Sequence, residues 1–163
     1  MFQPHLVPTD LDVPKFVRLP GLVLSSLVME RAAEDYALVD ANRRHVAGTF
    51  GPGNPWPNET DARSNLADVA WHEVEFGCRT SFAWWILDGE TAAAPLAGCV
   101  YVTPSPVPFY QCAVYFWLDQ AKDQPGRAAA VQAELGRWLG ESWGFGQVAF
   151  PGRGIAWDDW PVL

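Results

Sequence analysis

Three runs decide how this chain folds: Ser81-Phe-Ala-Trp-Trp-Ile-Leu-Asp-Gly89, Leu96-Ala-Gly-Cys-Val-Tyr-Val-Thr-Pro104 and Gln111-Cys-Ala-Val-Tyr-Phe-Trp-Leu118. Each is short, rich in aromatic and β-branched residues, and bounded by turn formers, which is the pattern of a strand. Asp88-Gly89 is a tight-turn dipeptide, so the first two runs are expected to form a hairpin. Pro104-Ser-Pro-Val-Pro108 cannot donate to a ladder and must link strands instead. Three such strands make a sheet floor, and the flanking segments read as layers packed on it.

Upstream, residues 1–20 carry prolines at 4, 8, 14 and 20 and show no periodicity. They read as an extended arm with Phe2, Leu6, Phe16 and Val17 to bury. Gly21–Met29 reads as a first strand, dense in apolar residues. Glu30–Val46 reads as a helix whose inner face takes Ala33, Tyr36, Ala37, Ala41 and Val46. Its early acids, Glu34 and Asp35, and late bases, Arg43 and Arg44, suit the helix dipole. His45 near that helix end reads most simply as a cation placed there, with a ligand role as the minority reading. Thr49–Pro57 is a loop by composition; Trp56 either pins it to the body or walls a cleft. A second helix, capped by Asn58 or Thr60, puts Ala62, Leu66, Val69, Ala70 and Glu73 or Val74 at helical spacing and ends near Phe76-Gly77. His72-Glu73 lacks the second histidine of a His-Glu-x-x-His zinc motif. Glu73 and Glu75 point apart on a helix and cannot share one face.

Downstream, Pro125 is expected to open a third helix. Val131, Leu135, Trp138, Leu139 and Ser142 form its apolar stripe, the clearest in the chain. Gly144-Phe-Gly146 stops it, Gln147–Phe150 reads as a fifth strand, and a Trp-rich tail follows Gly154. The resulting order is strand, helix, helix, three strands, helix, strand, with an antiparallel middle and a crossover at the third helix.

Composition bounds the rest. At 163 residues and 49% hydrophobic, the chain is one domain with a core. It carries 19 acidic against 11 basic residues, a formal net charge of −8. Without a cluster of Lys and Arg it is a poor partner for nucleic acid or anionic membranes. The N-terminus has no basic head before an apolar core, and no apolar run approaches the ~20 residues of a membrane span. The cytoplasm is the expected compartment. Cys78, Cys99 and Cys112 are odd in number and form no Cys-x-x-Cys pair, so neither a disulfide framework nor a metal site is expected. Nine tryptophans read mainly as packing between sheet and helices.

The element order resembles the GNAT (GCN5-related N-acetyltransferase) fold. Asn65-Leu-Ala-Asp68, Trp71-His-Glu-Val-Glu-Phe76, Ser81-Phe-Ala-Trp84, Leu96–Pro104 and Tyr115-Phe-Trp117, with a later helix carrying Leu139 and Trp143, resemble the central block of a bacterial GNAT-like subgroup. The likeness spans about Gly21 to Phe150, and its motifs mark a subgroup rather than a substrate. The fold it implies is α+β (α/β mixed): a mostly antiparallel central sheet flanked by helices, here with a shortened C-terminus. The GNAT-like domain would cover residues 21–154, after the arm and before a tail of residues 155–163.

The resemblance also implies acetyl transfer from acetyl-CoA, as co-substrate, to a small amine, without a covalent intermediate. The backbone of Phe116, Trp117 and Leu118 would take the pantetheine arm. Gln124, Gly126, Arg127 and Ala128 would take the pyrophosphate at a helix tip. Glu73 or Glu75 is the candidate general base, Tyr110 or Tyr115 a hydroxyl near the sulfur, and Trp56 and Trp84 candidate acceptor contacts. Two features depart from the family pattern. Arg127 stands where the phosphate loop has glycine, and would either block the phosphates or bind them. No tyrosine follows Tyr115 to protonate a leaving thiolate. A non-catalytic member of the fold, binding a small ligand or a protein, is the alternative, with the tail as a homodimer contact.

Overall fold

A computed structural model describes residues 4–161; Phe2 of the arm and the last two residues of the tail lie outside them. Among the described residues, six strands form one sheet in chain order: β1 (Phe16–Leu19), β2 (Leu22–Ser26), β3 (Phe82–Leu87), β4 (Leu96–Pro104), β5 (Cys112–Leu118) and β6 (Val148–Ala149). Neighbours run antiparallel from β1 to β5, and β6 joins β5 in parallel. Helices α1 (Ala32–Val46) and α2 (Ala62–Cys78) precede β3, and α3 (Arg127–Trp143) makes the crossover from β5 to β6. The expected mixed, mostly antiparallel architecture is what forms.

The sheet separates two apolar layers by its two-residue alternation. Phe82, Trp84 and Ile86 of β3 join Val114 and Phe116 of β5 under α3, which contributes Val131, Leu135, Trp138, Leu139 and Trp143. Ala83, Trp85 and Leu87 face the other way with Tyr101 and Trp117, against Val39 and Val46 of α1 and Val69 of α2. Because both faces are covered, β3 is buried at every position, which explains why its sequence is continuously apolar. Burying each large side chain contributes about 1.5–3 kcal/mol.

Several boundaries differ from the sequence reading. Pro20-Gly21 lies inside a β1–β2 hairpin that pairs Leu19 with Leu22, so the arm supplies an edge strand and the expected fifth strand is the sixth. Gly21 has φ +67, the conformation a Pro-Gly turn needs at its second position. The strand expected over Gly21–Met29 stops at Ser26, and Met29–Arg31 forms a 3-10 turn into α1. The buried stripe of α1 is Ala32, Asp35, Val39, Asn42 and Val46, so only Val46 of the expected face points inward.

Asp61, not Asn58 or Thr60, caps α2, in a reciprocal pair with Ser64. α2 buries Asn65, Val69 and Phe76 while Leu66 and Val74 are exposed. Pro125 does not open α3; Gly126, at φ +82, caps it and the helix begins at Arg127. The inner stripe of α3 ends on Trp143 rather than Ser142.

A bulge sits in β4. Ile86 opposes Gly98 and Leu87 opposes Leu96, leaving Ala97 as the extra residue. A Cβ on Gly98 would lie 2.3 Å from the Trp117 carbonyl. Cys99 and Cys112 are buried free thiols, and burial pushes Cys112 up to about 12. Cys78 is exposed. The tail folds back on its own protein: Trp160 is buried against Ala113 and Ala149.

Candidate functional site

β5 and β6 pair over only two positions, Cys112 with Val148 and Ala113 with Ala149. Beyond them the strands part. The Trp117 carbonyl faces β4, as its approach to Gly98 shows, so alternation turns the backbone groups of Phe116 and Leu118 toward the parting. After β6 the chain makes a tight turn in which the Phe150 carbonyl accepts from the N–H groups of Arg153, Gly154 and Ile155. Arg153 reaches back from this turn. Its Nη2 donates to the Phe116 carbonyl at 2.9 Å, and its guanidinium lies 3.8 Å over the Phe116 ring.

The tip of α3 lies on the same side of the sheet's end. Gly126 is exposed, and the Arg127 N–H is tied to the Gln124 carbonyl at 2.9 Å. Among the described residues, the N–H groups of Ala128 and Ala129 have no acceptor and no side chain caps the helix. The Arg127 side chain is turned to the β1–β2 turn, where Nη1 donates to the Gly21 carbonyl at 2.7 Å. The exposed Gln124 side chain reaches only the Ala121 carbonyl, at 3.4 Å.

On the α1/α2 face, a cavity of about 210 Å³ opens between the helices and the 49–57 loop. Asp35 forms its floor, accepting from Trp85 Nε1 at 2.7 Å and Asn65 Nδ2 at 2.8 Å. Burial pushes its carboxyl above the ordinary value, with both hydrogen bonds opposing. Partial burial also raises Asp68, with His72 opposing. Phe50, Trp56 and Tyr101 supply aromatic walls; Phe50 packs edge-on against both others, with centroids 5.1 Å away. The Tyr101 hydroxyl, whose pKa burial pushes up, accepts from Trp117 Nε1 at 3.2 Å.

The sequence candidates are spread among these places. Trp56 lines the cavity. Trp84 does not join it: it is fully buried on the α3 face, donating to the Pro14 carbonyl at 3.0 Å. Glu73 is exposed and accepts from the Met29 N–H at 3.2 Å. Glu75 is half-buried, with Oε2 3.3 Å from His72 Nδ1, and His72 reaches the cavity. Tyr115 is half-buried between Phe50, at 5.5 Å, and Trp157, stacked at 6.4 Å. Burial raises its pKa, with Trp160 opposing. Tyr110 packs on Trp160 at 5.9 Å. Trp117 is buried, its side chain belonging to the α1/α2 layer.

Asp35, Asp68, His72, Tyr101 and Arg153 were not among the candidates. Asp68 and His72 had a signal, four residues apart on a helix and so on one face. Asp35 had none: its place near the start of α1 suits the helix dipole, and the stripe it lies on emerges only in the structure. Arg153, in Pro151-Gly-Arg-Gly154 between the last expected strand and the tail, had no signal beyond the turn-forming residues around it.

Among the described residues, no three His, Cys, Asp or Glu side chains converge to hold a metal ion, and no helix is long and apolar enough to cross a membrane.

The six-stranded, mostly antiparallel sheet with its three helices matches the fold of GNAT-family acetyltransferases among solved structures. No family model matches the sequence, and no curated protein matches it. Among solved structures, the chain is similar to RimL, a ribosomal L7/L12 α-N-protein acetyltransferase in complex with coenzyme A. The TM-score is 0.57 and the identity 15%, over 76% of this chain and 67% of that one. It is also similar to the microcin C7 self-immunity acetyltransferase MccE in complex with acetyl-CoA and AMP, with TM-score 0.58 and 13% identity over 80% and 69%. Mycobacterium smegmatis RimJ in complex with CoA-disulfide gives 0.59 and 17% over 82% and 64%. The chain thus spans about two thirds of the length of these neighbours.

Proposed function

We propose that this protein is a GNAT-like N-acetyltransferase that moves an acetyl group directly from acetyl-CoA to a small amine. The observation that carries the reading is the parting of β5 from β6, which frees the backbone edge at Phe116 and Leu118 beside the tip of α3. In this reading the Phe116 and Leu118 backbone hydrogen-bonds the pantetheine amides. The free N–H groups of Ala128 and Ala129, with Gly126 and the helix dipole, attract the pyrophosphate. Arg127, held on Gly21, leaves the tip open and would steady the β1–β2 turn.

The acceptor would enter the cavity over Asp35 and Asp68. Its carboxylates and aromatic walls suit an ammonium head. His72, paired with Glu75, would take the proton, with Glu75 positioning it; general-base help of this kind is worth about 10²–10⁴-fold. Tyr115, which lines the space beside Phe116 and Arg153, would supply a hydroxyl near the parted strands. The reading assigns Glu73 and Tyr110 no part, because the first holds a backbone N–H and the second packs the tail.

Calorimetric titration with acetyl-CoA tests binding. Thiol release from acetyl-CoA, measured over small amines and over short peptides with free N-termini, tests turnover and separates the two acceptor types. Binding followed by thiol release supports the proposal, and no heat at millimolar acetyl-CoA ends it. Binding without thiol release toward any amine would favour the second reading, a non-catalytic member of the fold, for which the presence of Arg153 in the strand gap speaks.

A further inference from the structure

We infer that Arg153 is a gate on the acyl-carrier groove: its side chain occupies the Phe116 carbonyl in the free protein and must leave before a pantetheine amide can take that position. The inference rests on the acetyl-CoA reading above, and it concerns the step by which the groove opens.

Several observations converge on this residue. The outward carbonyl of Phe116 lies where β5 has no strand partner, and Arg153 Nη2 satisfies it at 2.9 Å. The same guanidinium covers the Phe116 ring at 3.8 Å. One side chain therefore fills both the polar edge and the apolar floor of the gap. A charge-assisted hydrogen bond combined with a cation–π contact is a firm hold. It is also a reversible one, because among the described residues no carboxylate pairs with the cation: its anionic neighbour Asp123 is engaged by His45 at 3.1 Å.

The backbone that carries Arg153 is fixed. Phe150 gathers three N–H groups of the turn, and Gly152 lies so close under Trp157 that a Cβ there would come within 2.5 Å of the indole. Trp157 is in turn stacked on Tyr115. A rigid turn with a long side chain reaching into the gap makes side-chain rotation the low-cost opening motion; moving the turn would break this packing. Once released, the guanidinium is a cation that phosphates attract, so a neutral probe is needed to see the gating alone.

The test compares the wild type with Arg153→Ala and Arg153→Gln, using S-acetylpantetheine, which lacks phosphates, and acetyl-CoA in parallel calorimetric titrations. Thermal unfolding checks that the variants fold. Both variants are expected to bind S-acetylpantetheine about tenfold more tightly than the wild type, the worth of one charge-assisted hydrogen bond removed from competition. Unchanged or weaker S-acetylpantetheine binding by the variants, with acetyl-CoA still binding the wild type, overturns the gate and leaves the acetyltransferase reading standing. No binding of either ligand by any of the three proteins overturns both.

Discussion

Gly98 sits at the bulge of β4, where a Cβ would stand 2.3 Å from the Trp117 carbonyl. β4 is held between β3 and β5 at this point, so its backbone cannot retreat from Trp117 without breaking ladder bonds to β3. Gly98→Ala is therefore expected to lower stability by about 3 kcal/mol, measured by urea denaturation; a loss below about 1 kcal/mol would mean the bulge can slide. Asp35 raises a different question at the same scale. Burial lifts its carboxyl above 3.8, against the hydrogen bonds from Asn65 and Trp85. In the window just above 3.8 the folded chain holds a proton that the unfolded chain has released, so this group makes stability fall as pH rises through its folded pKa. Asp35→Asn removes that titration. The stability difference between wild type and Asp35→Asn, followed by urea midpoints from acid to neutral pH, should shift toward the variant as pH rises through this window and then level off. A difference that stays constant with pH would show that Asp35 titrates normally.

Among the elements, α3 was legible and α1 and α2 were only half so. The stripe of α3 is apolar at every inner position except its expected end, where Trp143 takes the place given to Ser142. In α1 the inner stripe contains Asp35 and Asn42, and polar residues there look like surface. Each is buried because a distant partner satisfies it. Trp85 and Asn65 hold Asp35, while Asn42 spans the Leu38 carbonyl, the Asp119 carboxylate and the Gln120 N–H. No local periodicity encodes such partners, so the apolar spacing of α1 points to the wrong face and carries no sign of the cavity over Asp35. α2 failed the same way through Asn65.

The end of α2 carries its own prediction. Arg79 closes the helix at φ +61, and its side chain bonds the Pro8 and Leu11 carbonyls of the arm. Arg79→Ala should cost about 1–3 kcal/mol and speed amide exchange at Leu6 to Leu11 well before the sheet is affected. Unchanged exchange there would mean that buried Val7 and Val17 hold the arm without Arg79.

At the scale of the molecule, one sheet serves two cores. Trp84, Trp138 and Trp143 lie in the α3 layer, and Trp85 and Trp117 in the α1/α2 layer. Trp84 and Trp85 are adjacent in β3, so loosening either layer disturbs the strand both depend on. The two layers should unfold as one cooperative unit, the behaviour usual for a single domain of this length. Leu135, fully buried in α3, provides the test because it touches one layer only. Leu135→Ala should remove about 2–5 kcal/mol. If the sheet couples the layers, far-UV circular dichroism, which sees all three helices, and tryptophan fluorescence, which sees both layers, will move to the same lower urea midpoint. Separate midpoints, with fluorescence from one set of tryptophans lost first, would show that the α3 layer melts alone. The parted edge at Phe116 would then stand on a mobile support instead of the rigid one that a gated groove requires.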